Sequence, residues 1–213
     1  MIRSILVLTT TGICSIGPVL AHDMQAVITV QIYNAAGLKP SLLSRAEHEA
    51  DWIFGNAGVG IRWITCRFEQ ESIGTQVCAE AADPFLFVMW INRDHRSAPV
   101  SAEALGFALP ITGGANHCAI SYRDVQKTFQ GNRDVVDLYR LLANVMVHEL
   151  THLIFQSNEH SSSIMRANWS RSDFERMSKR QFIFSPEQIK RLHQSLSRRK
   201  SGECHECDFN GRF

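Results

Sequence analysis

Residues 134–165 read DVVDLYRLLANVMVHELTHLIFQSNEHSSSIM and contain the most informative pattern of the chain. Apolar side chains recur in it at helical spacing, which predicts one long helix from about Asp134 to about Phe155. Uncharged residues surround the histidines of this helix, so we expect that part to be buried on most sides. Burying a polar group without a partner costs about 1–3 kcal/mol. The buried histidines and glutamate therefore need a ligand or a hydrogen-bonded cluster.

The helix contains the HExxH motif His148-Glu149-Leu150-Thr151-His152. Imidazoles four residues apart project from one face of a helix, so His148 and His152 can share a zinc ion. Glu149 lies close enough to a metal-bound water to accept its proton, which makes it the candidate catalytic residue. The alternative interpretation is a core helix whose histidines are satisfied by backbone or carboxylate groups.

A third histidine follows the motif closely. His160 supplies the third imidazole that a catalytic zinc site needs, while a fourth position stays open for water. We expect Asn158, just beyond the helix, to adopt the left-handed conformation and to turn the chain back toward the metal.

Length and composition indicate an ordinary globular protein. The chain has 213 residues, 45% of them hydrophobic and 20% charged, which excludes disordered, collagen-like and low-complexity proteins. A folded chain of this size buries on the order of 70% of its extended surface, which is enough for one core without metal or disulfide support. We therefore expect any metal to be functional rather than structural.

Residues 1–21 have the layout of a secretory signal peptide. Arg3 is their only charge, an apolar stretch follows, and Val19-Leu20-Ala21 precedes His22. This pattern predicts cleavage after Ala21, a secreted or periplasmic protein, and no membrane span after cleavage. A membrane anchor is the alternative, but a span needs about 20 mostly apolar residues, and threonines, glycines and a proline interrupt this stretch.

Cleavage would remove Arg3 and bring the formal net charge from +1 to zero. No basic excess then remains to neutralise phosphates, so we expect neither nucleic acid nor an anionic membrane surface as the main partner.

Five cysteines remain after the predicted cleavage. Cys66 and Cys78 bracket a loop and are the first choice for a disulfide. Cys204 and Cys207 can form a local disulfide, half of a metal site or two tail thiols. Cys118 lies in an apolar run and is predicted to be a buried small hydrophobe.

Short strands and helices surround the long helix. Ser41 begins an earlier helix, Ser172 is a candidate cap for a short one, and Ser185-Pro186-Glu187-Gln188 marks the start of the last. A strand, a helix and a strand open the chain, which implies a right-handed crossover between parallel strands. We expect five strands, at residues 26–33, 61–66, 84–91, 105–109 and 117–122. Alternating and β-branched residues indicate the first, and a continuous apolar run indicates that the third is central.

The run from the HExxH motif to Ile164-Met165 resembles the metzincin zinc peptidases, whose HExxHxxGxxH helix is followed by a methionine turn under the metal. This resemblance implies zinc ligand roles for His148 and His152, a general-base role for Glu149, and the turn methionine for Met165. The chain is also similar to a group of secreted bacterial proteins of unassigned activity that carry HExxH, an Asn-x-His-Ser stretch and Ile-Met.

Upstream residues are similar to the matrix metallopeptidase branch of that clan. Leu105-Gly106-Phe107-Ala108-Leu109-Pro110 resembles the edge strand of that branch, and Gly113-Gly114 with Ile120-Ser121-Tyr122 resembles the strand that follows it.

The chain departs from the metzincin pattern in its third ligand. Phe155 occupies the glycine position, Asn158 occupies the ligand position, and His160 comes two residues later. A longer turn with the same geometry makes His160 the ligand. Glu159 and Glu175 are the alternatives, the latter matching the gluzincin arrangement in which a later helix supplies the ligand. The turn methionine also has a plainer interpretation, since it can simply close the core below the loop.

These observations predict a single metzincin-like α+β domain at residues 22–196, with a twisted mixed sheet of about five strands, an active-site helix and a C-terminal helix. A basic, cysteine-containing tail follows at residues 197–213. The expected function is that of a secreted zinc metallopeptidase with one catalytic Zn²⁺, acting as a monomer on peptides or proteins. The alternative is a catalytically inactive zinc-binding protein of the same fold, because the metzincin glycine and a tyrosine after Met165 are missing.

Overall fold

The structure is a computed structural model that describes residues 26–66, 78, 83–94, 104–109 and 116–201. The predicted signal peptide at residues 1–21 lies outside the described residues, as do Gly113-Gly114, Cys204 and Cys207.

Five strands form one sheet layer: β1 (Ala26–Tyr33), β2 (Val59–Cys66), β3 (Leu86–Asn92), β4 (Gly106–Leu109) and β5 (Asn116–Ser121). Their order in the sheet is β2-β1-β3-β5-β4. The first four strands of that order are parallel, and β4 pairs antiparallel with β5 at the edge, which confirms the predicted mixed sheet. Both faces of the central strand β3 are buried, which explains its unbroken apolar sequence.

Five helices and one 3₁₀ turn complete a single α+β domain, as predicted. The helices are α1 (Pro40–Gly55), α2 (Tyr122–Asn132), α3 (Leu138–Phe155), α4 (Arg171–Ser178) and α5 (Pro186–Ser201), and the 3₁₀ turn is Ser163–Met165. The long helix α3 contacts the other four helices and strands β4 and β5, and every one of its residues from Leu141 to Ile154 is buried.

The start of the long helix differs from the prediction. It begins at Leu138, four residues after Asp134, because a turn at residues 133–137 separates it from α2. No element was predicted for most of α2. Beside the buried Val125, the helix packs only the partly buried Tyr122 and Phe129 on the core, so its sequence is mostly polar. The Ser121 side chain caps its first turn by accepting from the Asp124 N–H.

Two expectations in the C-terminal part also need correction. Ser170, not Ser172, caps α4, and it forms a capping box with the buried Asp173. Helix α5 continues to Ser201, so its last five residues belong to a helix although the tail was predicted to begin at residue 197. Arg199 explains this continuation, because its guanidinium donates to the carbonyl oxygens of Leu153 and Pro84.

Cys66 and Cys78 form the predicted disulfide, and Cys118 is a buried free thiol, also as predicted. Among the described residues, no helix has the length and apolar character that crossing a membrane requires.

Candidate metal centre

His148 and His152 lie one turn apart on α3, and both side chains are buried. A backbone carbonyl fixes each ring. His148 Nδ1 lies 2.7 Å from the Ile164 oxygen, and His152 Nδ1 lies 2.7 Å from the Ser157 oxygen. A carbonyl oxygen can only accept, so each Nδ1 carries the proton and donates.

The two Nε2 atoms face each other at 3.0 Å. Burial lowers the pKa of His148 to about 3, only partly offset by the hydrogen bond to Ile164, and burial also lowers the pKa of His152. Both rings are therefore neutral near pH 7, and each Nε2 presents a lone pair rather than a proton. Two facing lone pairs repel each other unless a cation lies beside them. Such an arrangement could serve as the donor set of a metal site.

His160 completes the group from the loop beyond α3. Its ring centroid lies 5.3 Å from that of His148 and 5.0 Å from that of His152. One ring nitrogen of each histidine lies within 4.8 Å of the others, and in the described part of the chain this is the single His/Cys/Asp/Glu group that could hold a metal. His160 is exposed, so one side of the group is open to solvent.

These residues fit a zinc ion. Zinc binds imidazole nitrogens at about 2.0–2.1 Å, so two ligands at a tetrahedral angle lie about 3.3 Å apart. The observed separation of the two Nε2 atoms is close to this value. Three neutral imidazoles leave a fourth position for water, which is the ligand set of a catalytic rather than a structural zinc.

A left-handed residue turns the chain after α3, but it is not the predicted one. Gln156, with φ 50° and ψ 43°, follows the helix directly, and the backbone N–H of Ser157 then donates to the His152 carbonyl. Asn158 does not have a positive φ, so the expectation for that residue was wrong. The cap position is the residue next to the last helical one, which is why the turn falls on Gln156.

The 3₁₀ turn that carries the His148 partner is fastened to α5. Gln188 Nε2 donates to the Ser162 carbonyl oxygen at 2.7 Å and to Ser161 Oγ at 3.2 Å. The side chains of Ile164 and Met165 in this turn are fully buried. The carbonyl that orients His148 is therefore held by the core and not by a free loop.

Glu149 is buried, with 4% of its surface exposed. Burial raises its pKa from 4.5 to about 8, and its Oε2 atom has no hydrogen-bond partner among the described residues. A nearby cation favours the charged form of a carboxyl group. A metal ion on the adjacent histidines would therefore shift Glu149 toward the carboxylate that a general base requires.

The alternative third ligands lie outside the three-histidine group. Glu159 is 80% exposed and lies 3.9 Å from Arg191. Glu175 is half exposed on α4, 3.9 Å from Arg171. Of these three residues, His160 is the one that groups with His148 and His152.

Sequence reasoning missed two kinds of partner in this site. The carbonyl oxygens of Ser157 and Ile164 orient the two helical histidines. Every residue has a backbone carbonyl, so the residue type does not reveal which of them accepts a hydrogen bond from histidine. Trp169 places its ring 5.8 Å from the His148 ring, between that ring and Phe182, and only the folded chain brings these residues together.

The comparisons with known proteins give distant similarities. No family model and no curated protein matches the chain. Among solved structures, the chain is similar to archaemetzincin from Methanopyrus kandleri, with 18% identity over 85% of this chain and 99% of that chain and a TM-score of 0.48. It is also similar to metalloproteinase-II from Bacteroides fragilis, with 10% identity over 84% of this chain and a TM-score of 0.49. The aligned part covers 55% of that second chain.

Proposed function

We propose that this chain is a zinc-dependent metallopeptidase that hydrolyses peptide bonds, with Glu149 as the general base. One observation carries the proposal. Two neutral imidazoles on α3 point bare nitrogens at each other at 3.0 Å, and a third imidazole stands beside them. A core helix with satisfied histidines would not leave these lone pairs face to face.

His148, His152 and His160 would hold the metal ion. A zinc ion in such a site polarises a carbonyl group and lowers the pKa of a water molecule to about 7. The Ser157 and Ile164 carbonyls keep Nε2 of the two helical histidines unprotonated, which orients them as ligands. Glu149 accepts the proton of the attacking water and can return it to the leaving amine.

The edge strand β4 is the proposed platform for the substrate. It is the last strand in the sheet order and pairs only with β5 among the described residues. An extended peptide can add to such an edge through main-chain hydrogen bonds. Leu109 at the end of β4 is 51% exposed and offers an apolar contact beside that edge.

We also propose that the protein acts outside the cytoplasm. The signal-peptide pattern of residues 1–21 supports this location, and so does the Cys66–Cys78 disulfide, because disulfides persist in oxidising compartments.

The test is hydrolysis of a broad peptide library by the zinc-loaded protein and by Glu149→Gln. Wild type should cleave, and the variant should keep its zinc and lose cleavage by at least about 100-fold, the usual size of a general-base contribution. Cleavage by Glu149→Gln at the wild-type rate would overturn the general-base role. Tight zinc binding without cleavage by wild type would instead identify an inactive zinc-binding protein of the same fold.

A further inference from the structure

Strand β4 lies directly against the side chain of Glu149 at Gly106. A Cβ atom built on Gly106 would lie 2.7 Å from Glu149 Oε1 and 2.8 Å from both Cδ and Cγ. Real Cβ atoms essentially never approach other heavy atoms within 3.0 Å. Any other residue at this position would therefore displace Glu149 or the strand.

The two backbones have little room to move apart. Glu149 belongs to the part of α3 in which every residue is buried, and its neighbour His148 is held by the Ile164 carbonyl. On the other side, β4 pairs with β5 from Gly106 to Leu109. The Glu149 side chain is thus the part that must yield to an added methyl group.

Rotation of the carboxylate alone would not relieve the contact. Glu149 Cγ is as close to the built Cβ of Gly106 as Cδ is, so the bonds nearer the helix would also have to rotate. Such a rotation carries the whole carboxylate to a new place. The absence of a side chain at Gly106 is therefore what allows the observed carboxylate position.

We propose that Gly106 is a positioning residue of the peptidase, which lets the backbone of the edge strand fix the carboxylate of the general base. The same strand would hold the substrate, so this contact sets the base at a defined distance from the peptide that pairs with β4. This inference rests on the function proposed above.

Other glycines of the chain provide a matched control. At Gly131, on the exposed end of α2, a Cβ would meet nothing within 4 Å. Gly131→Ala adds the same methyl group as Gly106→Ala, but in open space. It should leave peptide hydrolysis and thermal stability at or slightly above the wild-type level.

The kinetic test compares zinc content, kcat and KM of wild type, Gly106→Ala and Gly131→Ala. A displacement of about 1 Å in an active site can cost on the order of 100-fold in rate. We expect Gly106→Ala to keep one zinc and a KM close to wild type while kcat falls by about 10- to 100-fold. A kcat equal to that of Gly131→Ala would overturn the positioning role, and an equal loss through KM alone would overturn it as well.

A second test needs no activity. Melting temperatures are measured for metal-free wild type, Gly106→Ala, Glu149→Ala and the double variant. Forcing an extra methyl group into a packed site should lower the melting temperature by roughly 3–8 °C in the wild-type background. Truncating Glu149 removes the atoms that clash, so the same substitution should cost less than about 2 °C in the Glu149→Ala background.

The two tests separate this inference from the proposed function. Equal losses of melting temperature in both backgrounds would show that the Gly106–Glu149 contact does not constrain the side chain, and would overturn the inference even for an active peptidase. If wild type proves inactive, the proposed function and the kinetic role of Gly106 fail together, whereas the difference between the two backgrounds still reports the contact.

Discussion

Glu149 makes the stability of the metal-free protein depend on pH in a defined direction. Burial raises its pKa from 4.5 in the unfolded chain to about 8 in the folded one. At a pH between these two pKa values, the Glu149 carboxyl keeps its proton in the folded state but has lost it in the unfolded state. Stability from this group is therefore present at low pH and is lost as pH rises, at up to about 1.4 kcal/mol per pH unit. From about pH 5.5 to about pH 8 the free energy of unfolding should fall by ~3 kcal/mol.

The assay is urea unfolding at these two pH values, in the presence of a chelator, for wild type and Glu149→Gln. The glutamine does not titrate, so the variant should lack this loss. His148 acts in the opposite direction, because its lowered pKa gives stability that is lost as pH falls below about 6.5. That contribution is common to both proteins and cancels in the comparison.

Glu159→Gln is the matched control, since it removes a glutamate charge from an exposed position near the histidines. Its pH dependence should follow that of wild type. If wild type and Glu149→Gln lost the same free energy of unfolding between the two pH values, Glu149 would not be the group that causes the pH dependence.

Two further substitutions test the packing around the site. Gln156→Gly should raise the free energy of unfolding by about 1 kcal/mol, because glycine adopts the left-handed conformation of this cap without the steric cost that a side chain brings. A loss of stability in thermal denaturation would contradict the assignment of the cap. Glu49→Ala should lower the free energy of unfolding by about 2 kcal/mol, because the buried carboxylate accepts hydrogen bonds from Nε and Nη2 of Arg180 and lies 3.7 Å from Arg140. The Arg180 side chain is 47% exposed and can be hydrated in the variant, which limits the loss of stability. A loss below about 0.5 kcal/mol would show that the ion pair does not hold α1 to the loop beyond α4.

The spacing of apolar residues along the chain predicted most of this fold. The apolar runs of β3 and α3 stand out because both elements are buried on nearly all sides. Helix α2 was missed for the opposite reason, since only Tyr122, Val125 and Phe129 pack on the core and the rest of the helix is largely polar. These three residues recur at helical spacing, but three apolar residues among eleven make a weak pattern.

The candidate site also has a part that the sequence pattern predicts and a part that only the tertiary structure reveals. The spacing of His148 and His152 predicts their shared face, because helix geometry alone sets it. The place of His160 depends on the left-handed turn at Gln156 and on the 3₁₀ turn held by Gln188, which are tertiary features. Gly106 was included in a motif without a role, since only the approach of β4 to α3 shows what its missing side chain permits.

Zinc content tests most directly whether His148, His152 and His160 bind one zinc ion, as proposed. Zinc is measured by mass spectrometry on purified wild type, His160→Ala and His48→Ala after dialysis against a weak chelator. His48 is an exposed histidine on α1, bonded to the Ser44 carbonyl, and serves as the matched control. We expect one zinc per chain in wild type and His48→Ala, and none in His160→Ala. Wild type without zinc would contradict the metal site, and zinc retained in His160→Ala would contradict the third ligand.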